Sequence, residues 1–453
     1  MTTIDELIER AKKAQAVLEK FSQEQVDAII KELARVVHDN AQELAELAVQ
    51  ETQMGNVEDK TLKNLNKSEL ICADLENEKT VGVIKRDKER GIIEIAEPVG
   101  VVAAIIPCTN PTVTPMSNAM FAIKTRNPVI IAPHPRAKNI TTKTVELMVA
   151  VAQKVGLPEF AIQVIENPSK EGTQELMHKV SVILATGGPG MVKAAYSSGS
   201  PSFGVGAGNV PAVIHSSADI PQAVSDIIKS KIFDNGLICS SEQAVIVPLD
   251  ISDKVWDEFK RQGGYIVSIP EKKRLRYAMF TDDEHVVPNV IGQSVDVIAT
   301  VAGIELPPEA GIKLFVVPSE GVGDGCPFSS EKMSPVLALF ITKDFNESLK
   351  VAKKVLAYRG MGHTASIHCE DEDVALQYAM EMKTSRIIVN QPSALSSGGS
   401  RQNSLTPSTT LGCGTWGGNI TSDNISAKHL LNIKRLAFKL DKQKDTSKVF
   451  ETV

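Results

Sequence analysis

Several signatures that would assign a chain to a class at once are missing from this sequence. No stretch approaches the roughly 18 consecutive apolar residues that a membrane helix needs. Met1 to Lys20 alternates charged and apolar side chains and lacks the basic start, apolar run and small-residue cleavage site of a secretion signal. A cytoplasmic location is expected on that ground. Positive charge is not in excess: 49 Lys and Arg stand against 55 Asp and Glu, a formal net charge of -6. Neither nucleic acid nor a membrane is therefore expected as a partner, although a small anion could still be held locally. The six cysteines lie far apart, with no C-x-x-C pair and no histidine at zinc-finger spacing, so neither disulfides nor a metal site is expected. Such a cysteine is ordinarily a small buried apolar residue, and only its surroundings promote it to a nucleophile.

What is present is a globular composition: 453 residues, 42% apolar and 23% charged, enough for two or three domains. Ile4 to Val49 carries apolar residues at helical spacing, and Ser22 with Gln25 forms a capping box between two helices. Thr80 to Glu97 switches to two alternating runs around a charged turn ending at Gly91, which predicts a hairpin. Strand-like runs at Gly100–Pro107, Pro128–Pro133, Ala161–Ile165 and Ser181–Gly188 then alternate with helical patterns. Strand and crossover helix in repetition predict an α/β fold with a doubly wound parallel sheet, whose ligands sit beyond the carboxyl ends of the strands. A second α/β region begins near Ala212, with strands at Ala244–Pro248, Lys313–Pro318, Val336–Ile341 and Arg386–Asn390. Beyond Pro392 the chain is rich in Ser, Gly, Thr and Asn, which suits loops closing over a site or a flexible linker.

Four segments can carry chemistry. GVGAGN (Gly204 to Asn209) looks like a dinucleotide fingerprint but leads into Val210, Pro211 and a strand-like run instead of a helix, so the required context is missing. ATGGPGMVKAAY (Ala185 to Tyr196) does lie between a strand and a helix, where a glycine turn either binds a pyrophosphate or is a plain turn. In PCTNP (Pro107 to Pro111), Asn110 stands at a strand's carboxyl end, where its amide could donate to an oxyanion or merely cap the helix that follows. FDNGLICSSEQ (Phe233 to Gln243) sets Cys239 in a polar turn before a strand, near backbone N–H groups that favour a thiolate. Such a thiolate can attack an aldehyde, release hydride to a nicotinamide and leave a thioester.

These segments, together with RGMGHTASIH (Arg359 to His368) and the block beginning TLGCGTWGGN at Thr410, resemble the CoA-acylating branch of the aldehyde dehydrogenase superfamily. The likeness is nearly full length, and is strongest to acylating succinate-semialdehyde dehydrogenases and to the aldehyde domain of bifunctional aldehyde-alcohol dehydrogenases. It implies a Rossmann-type cofactor domain (1–79 and 98–211), an α/β catalytic domain (212–412), and a β oligomerisation arm with the C-terminal segment (80–97 and 413–453). A homodimer or homotetramer follows from the arm.

Residue by residue, the resemblance makes Cys239 the nucleophile and Asn110 an oxyanion donor, and suggests that His363 helps deprotonate a thiol. It implies NADP or NAD as cofactor, with Thr109, His134, Pro135, Arg136, Thr186, Gly187, Gly188 and Glu331 at the binding site, and coenzyme A as cosubstrate. Arg136 suits a 2'-phosphate, yet enzymes sharing HPR differ in using NAD or NADP. Hydrolytic members place a water-activating glutamate where this chain has Val205. A thioester without that base resists water, whereas coenzyme A brings its own nucleophile.

Lys67 and Ser240 match the succinate-semialdehyde enzymes and would receive an anionic tail, with Arg401 as a further cation. The expected substrate is thus a small anionic aldehyde such as succinate semialdehyde. Sulfoacetaldehyde or acetaldehyde is the alternative, as is a hydrolytic dehydrogenase. A microcompartment-associated structural protein is a reading of another class, and it would call for a tethered targeting helix. Met1 to Lys20 runs almost directly into the next helix and the tail after Lys439 is short and polar, which speaks against that reading.

Overall fold

Caps and apolar spacing build the amino-terminal helices where the sequence places them. In the computed structural model, which describes residues 2–308 and 310–440, α1 (Ile4–Leu18), α2 (Gln23–Asp39) and α3 (Ala41–Thr52) come first. The Ser22 N–H donates to Gln25 Oε1 at 2.9 Å while the Ser22 hydroxyl accepts the Gln25 N–H at 3.3 Å. The polar tail from residue 441 onward lies outside the described residues.

A further helix, α4 (Val57–Glu76), is one the apolar pattern does not announce. Its buried face is polar along most of its length, with Lys60, Lys63, Asn64 and Ser68 ahead of Ile71 and Leu75. A search for apolar residues at helical spacing passes over such a face. The expected hairpin follows as β1 (Gly82–Asp87) and β2 (Ile92–Pro98), its turn closed by Gly91 at φ 62°.

The chain then alternates through β3 (Val102–Ile105), α5 (Val113–Lys124), β4 (Val129–Ala132), α6 (Lys138–Ala152), β5 (Ile162–Val164), α7 (Lys170–Lys179), β6 (Val182–Thr186), α8 (Pro189–Tyr196) and β7 (Ser202–Val205). The five strands are parallel in the order β5-β4-β3-β6-β7. The order reverses at β3, so a crevice opens between the carboxyl ends of β3 and β6. Residues 106–111 leave one of those ends and residues 187–188 the other. Apolar clusters cover both faces, with Val102, Ala104 and Leu184 on one side and Ala103, Ile105 and Ile183 on the other.

Residues 206–209 carry the chain into the second sheet, so the division expected at 211/212 falls inside its first strand. That sheet contains β8 (Val210–Ile214), β9 (Glu242–Pro248), β10 (Gly264–Ile266), β11 (Leu314–Pro318), β12 (Val336–Thr342), β13 (Ala365–His368) and β14 (Ile387–Val389), and α9 (Ile220–Ile232) joins β8 to β9. All seven are parallel, in the order β10-β11-β12-β9-β8-β13-β14. Finally β15 (Leu431–Ala437) pairs antiparallel with β2 and completes a three-stranded sheet with the hairpin. The segment just before it does not belong to the arm, because Ile425, Ala427 and Leu430 pack into the core of the first sheet. Among the described residues no helix is long and apolar enough to cross a membrane.

Candidate active site

The approach to Cys239 is set by a tight turn. After α9 the chain passes through Phe233–Gly236, where Asp234 and Asn235 both take left-handed backbone angles, φ 50° and 53°. Two adjacent non-glycine residues in that region are strained, and they persist only where their surroundings hold them. Here the holder is an ion-pair cluster: Asp234 Oδ2 receives Lys60 Nζ at 2.9 Å and Lys63 Nζ at 2.7 Å, both from α4. Burial pushes the Asp234 carboxyl up, but the two ammonium groups outweigh it and leave it below the usual range.

Cys239 follows this turn, three residues before β9. Its thiol opens into a cavity of about 370 Å³ that it shares with Asn110, Ser240, Lys63, Lys67, Lys229 and Arg401. No Asp or Glu lines that cavity. Burial first, and the Glu331 charge second, push the thiol up to about 12. The expectation that backbone N–H groups favour the thiolate is therefore corrected: their contribution is present but outweighed, and the resting residue is a thiol.

Asn110 does not cap α5, whose N-cap is Thr112 without a side-chain bond. Instead Asn110 Oδ1 accepts Lys63 Nζ at 2.6 Å, and the amide stands in the wall of the Cys239 cavity. Ser240 is buried there, its hydroxyl 3.5 Å from the Ser393 carbonyl oxygen. Lys67 donates to the carbonyls of Gly398 at 2.6 Å and Gly399 at 3.3 Å, and burial followed by the Lys63 charge brings its pKa down to about 8. Arg401 sits on the exposed rim, where its guanidinium is paired with Glu69. The Ser- and Gly-rich stretch after Pro392 thus supplies walls of the cavity through Ser396, Gly398 and Gly399, so it is no linker.

His363 is placed behind the cavity and not in its lining. It is fully buried, Nδ1 lies 2.9 Å from Thr364 Oγ1, and Nε2 has no hydrogen-bond partner among the described residues. Burial, then Arg386, lowers its pKa to about 3, so the ring is neutral and a weak base as it stands. Gly208 separates it from the nucleophile segment: a Cβ there would lie 2.2 Å from the Cys239 carbonyl oxygen and 3.1 Å from the His363 ring.

The other expected residues gather at the crevice of the first sheet. Thr109 follows β3. His134, Pro135 and Arg136 follow β4, with His134 Nδ1 accepting the Arg136 N–H at 3.1 Å and the Arg136 side chain exposed. Thr186 ends β6, its hydroxyl 2.9 Å from that of Thr410. Gly187 and Gly188 make the turn into α8, whose first-turn N–H groups have no side-chain cap. A Cβ on Gly188 or Gly190 would meet nothing within 4 Å, so the helix start faces open space. Pro189 has no N–H, and the Met191 and Val192 N–H groups donate to the Gly188 carbonyl, which leaves the Gly188 and Gly190 N–H groups, with room before them, to fit a pyrophosphate. Glu331 lies near Cys239, and burial raises its carboxyl to about 7. Its neighbour Lys332 is caged by the carbonyls of Phe328, Ser330 and Gln243 at 2.7, 2.7 and 3.0 Å, which fixes this segment.

Two side chains escaped the sequence reading. Lys63 and Asp234 are 171 positions apart, and each alone looks like a surface residue. Only the left-handed-prone Asp-Asn-Gly run ahead of Cys239 hinted at a special turn.

Comparison with known proteins agrees with this geometry. The family model described as "Aldehyde dehydrogenase family" matches residues 1–267. A succinate-semialdehyde dehydrogenase (acetylating) from Clostridium kluyveri is 47% identical over 438 residues, 96% of each chain. An acetylating aldehyde dehydrogenase from Geobacillus thermoglucosidasius superposes with a TM-score of 0.94 at 44% identity, covering 98% of both chains. A propionaldehyde dehydrogenase from Rhodopseudomonas palustris, solved with bound CoA and an acylated cysteine, gives a TM-score of 0.86 at 29% identity over 97% of both. The chain belongs to the aldehyde dehydrogenase family.

Proposed function

We propose that the chain converts a small aldehyde with an anionic tail, such as succinate semialdehyde, together with CoA and NAD(P)+ to acyl-CoA and NAD(P)H, or runs the reverse reaction. It is a CoA-acylating, NAD(P)-dependent oxidoreductase. The observation that carries the reading is the Cys239 cavity, lined by four cations and no carboxylate. The cations suit a negative tail. Among the described residues that line the cavity no carboxylate stands to activate water, Glu331 being assigned to the nicotinamide, and Val205, where hydrolytic enzymes keep that base, packs against Leu411 and Cys413.

In the forward direction Cys239 Sγ gives its proton to solvent and forms a bond to the aldehyde carbon, the carbonyl π pair moving to oxygen. The oxygen of the resulting hemithioacetal then carries negative charge, which the Asn110 amide stabilises. Gly187, Gly188 and Glu331 would hold the nicotinamide, which would supply the acceptor for the hydride that leaves this carbon. The thioester left on Cys239 is attacked by the thiolate of CoA, the C–S bond to Cys239 breaks, and the acyl group departs as a new thioester. Lys67 and Ser240 hold the tail meanwhile. The three-stranded sheet, with Leu436 and Phe438 exposed, is read as the surface on which copies pair into a dimer or tetramer.

Steady-state assays of succinate semialdehyde, sulfoacetaldehyde, acetaldehyde and butyraldehyde with both nicotinamides, with and without CoA, test this. Succinate semialdehyde should give the highest kcat/KM, and turnover should require CoA. Unchanged turnover without CoA would remove the acyl-transfer reading, and preference for neutral aldehydes would remove the anionic one.

A further inference from the structure

Lys63 is surplus by charge. Asp234 is a single buried carboxylate, and both Lys60 and Lys63 donate to its Oδ2. One ammonium neutralises it, and a second leaves net positive charge in a place where unpaired charge is costly. Lys63 is only 8% exposed, so water offsets little of that cost.

Its other contact gives it a use. Lys63 Nζ lies 2.6 Å from Asn110 Oδ1. An ammonium can only donate, so it decides which end of the amide it meets: Oδ1 turns to Lys63 and Nδ2 turns away. Among the described residues Nδ2 makes one hydrogen bond, to Thr109 Oγ1 at 3.5 Å, the outer limit of such a contact. Asn110 thus stands in the Cys239 cavity with its donor end almost unspent.

We propose that Lys63 is a positioning residue for the reaction at Cys239, sorting and polarising the Asn110 amide so that its N–H meets the oxygen of the bound aldehyde or thioester. The inference rests on the reading of Asn110 as the oxyanion donor. A cation on Oδ1 draws electrons from the amide and makes Nδ2–H a stronger donor, and the gain is largest when the substrate oxygen is most negative. Lys60 remains as the counter-ion of Asp234, and Lys63 bridges the turn before Cys239 to the loop after β3.

The test uses the full chain and a neutral aldehyde, butyraldehyde, so that Lys63 is not scored for attracting an anionic tail. Lys63→Met leaves Asp234 with one ammonium, a neutral pair, and is expected to fold; thermal unfolding checks this. Asn110→Ala should lower kcat by about 10²-fold or more, and Lys63→Met by about 10-fold, with KM for CoA within about two-fold. Lys63→Arg should recover most of the rate, and the Lys63→Met/Asn110→Ala double variant should be no slower than Asn110→Ala alone. Should Lys63→Met not fold, Lys63→Gln, which keeps a neutral donor, should fall between the wild type and Asn110→Ala. A normal rate in the Lys63 variants beside a slow Asn110→Ala overturns this inference only. Losses that multiply in the double variant also overturn it. A normal Asn110→Ala overturns the oxyanion reading beneath it as well.

Discussion

Two cavities of the molecule differ in what lines them. One holds Cys239 and is rimmed by Lys67, Lys229 and Arg401, with no carboxylate. The other, about 490 Å³, lies over the start of α8 and is bounded by Pro189, Lys193, Tyr196, Gly206, Arg359 and Trp416. Gly206 and Ala207 form a wall of the second, and Gly208, next in the chain, abuts the Cys239 backbone. The first is lined by four cations and no aromatic ring but Phe233, the second by two cations, several glycines and the rings of Tyr196 and Trp416. Selecting a substrate's tail and holding a nucleotide or CoA can thereby be separate tasks served by one thiol.

The sharpest way to break this division is at the thiol. Cys239→Ala should remove CoA-dependent NAD(P)H formation and the reverse reaction, a loss of at least about 10³-fold, because the covalent route has no substitute. Binding of NAD(P)+ and CoA, followed by fluorescence or calorimetry, should stay within about two-fold of the wild type if the second cavity works independently. Strongly weakened cofactor binding would mean the cavities are not separate.

A smaller effect is expected from the wall. A methyl group at Gly208 would press on the Cys239 carbonyl oxygen, 2.2 Å away, and on the His363 ring, so the nucleophile segment must shift. Gly208→Ala should lower kcat by about 10²-fold, because small misplacements of reacting groups are expensive. An unchanged kcat would show that the wall yields.

The smallest changes should come from the cations. Lys67→Ala is expected to raise KM for succinate semialdehyde about tenfold while leaving that for acetaldehyde almost unchanged, the loss of one charge-assisted contact. Arg401→Ala should change either by less than about two-fold, since its charge is already engaged with exposed Glu69. The pH dependence follows from the Lys67 ammonium, which burial brings down to about 8. Above that pH it is neutral, so the ratio of KM for the anionic aldehyde to that for acetaldehyde should rise between roughly pH 7 and 9. In Lys67→Ala the ratio should be flat.

Much of this was legible in the sequence where one period or one cap decides the outcome. Four of the five strands of the first sheet, the Ser22–Gln25 box and the hairpin follow from local pattern. The strand at Ser202–Val205 escaped because Gly204 interrupts it and its end runs into the glycine-rich Gly206–Gly208. The short strands at Gly264–Ile266 and Ala365–His368 escaped because three or four residues carry no readable period. At the site, Cys239 stood out through its turn, yet its protonation did not, because burial and the Glu331 charge are set by segments distant in sequence. Asn110 left two readings open locally; the helix start at Thr112 removes the capping one, and its contact with Lys63 has no local signal.

The polar buried face of α4 also bears on how far this protein can be retuned. A helix held by an apolar stripe can exchange surface residues freely, whereas α4 meets the turn before Cys239 through Lys60 and Lys63 on Asp234. Lys67, on the same face a turn beyond, reaches the Cys239 cavity. Under the proposed function, substrate choice and the seating of α4 on the turn before Cys239 draw on one row of lysines. Redesign toward uncharged aldehydes has Lys67 to work with, while each change nearer Lys60 also loosens the seam.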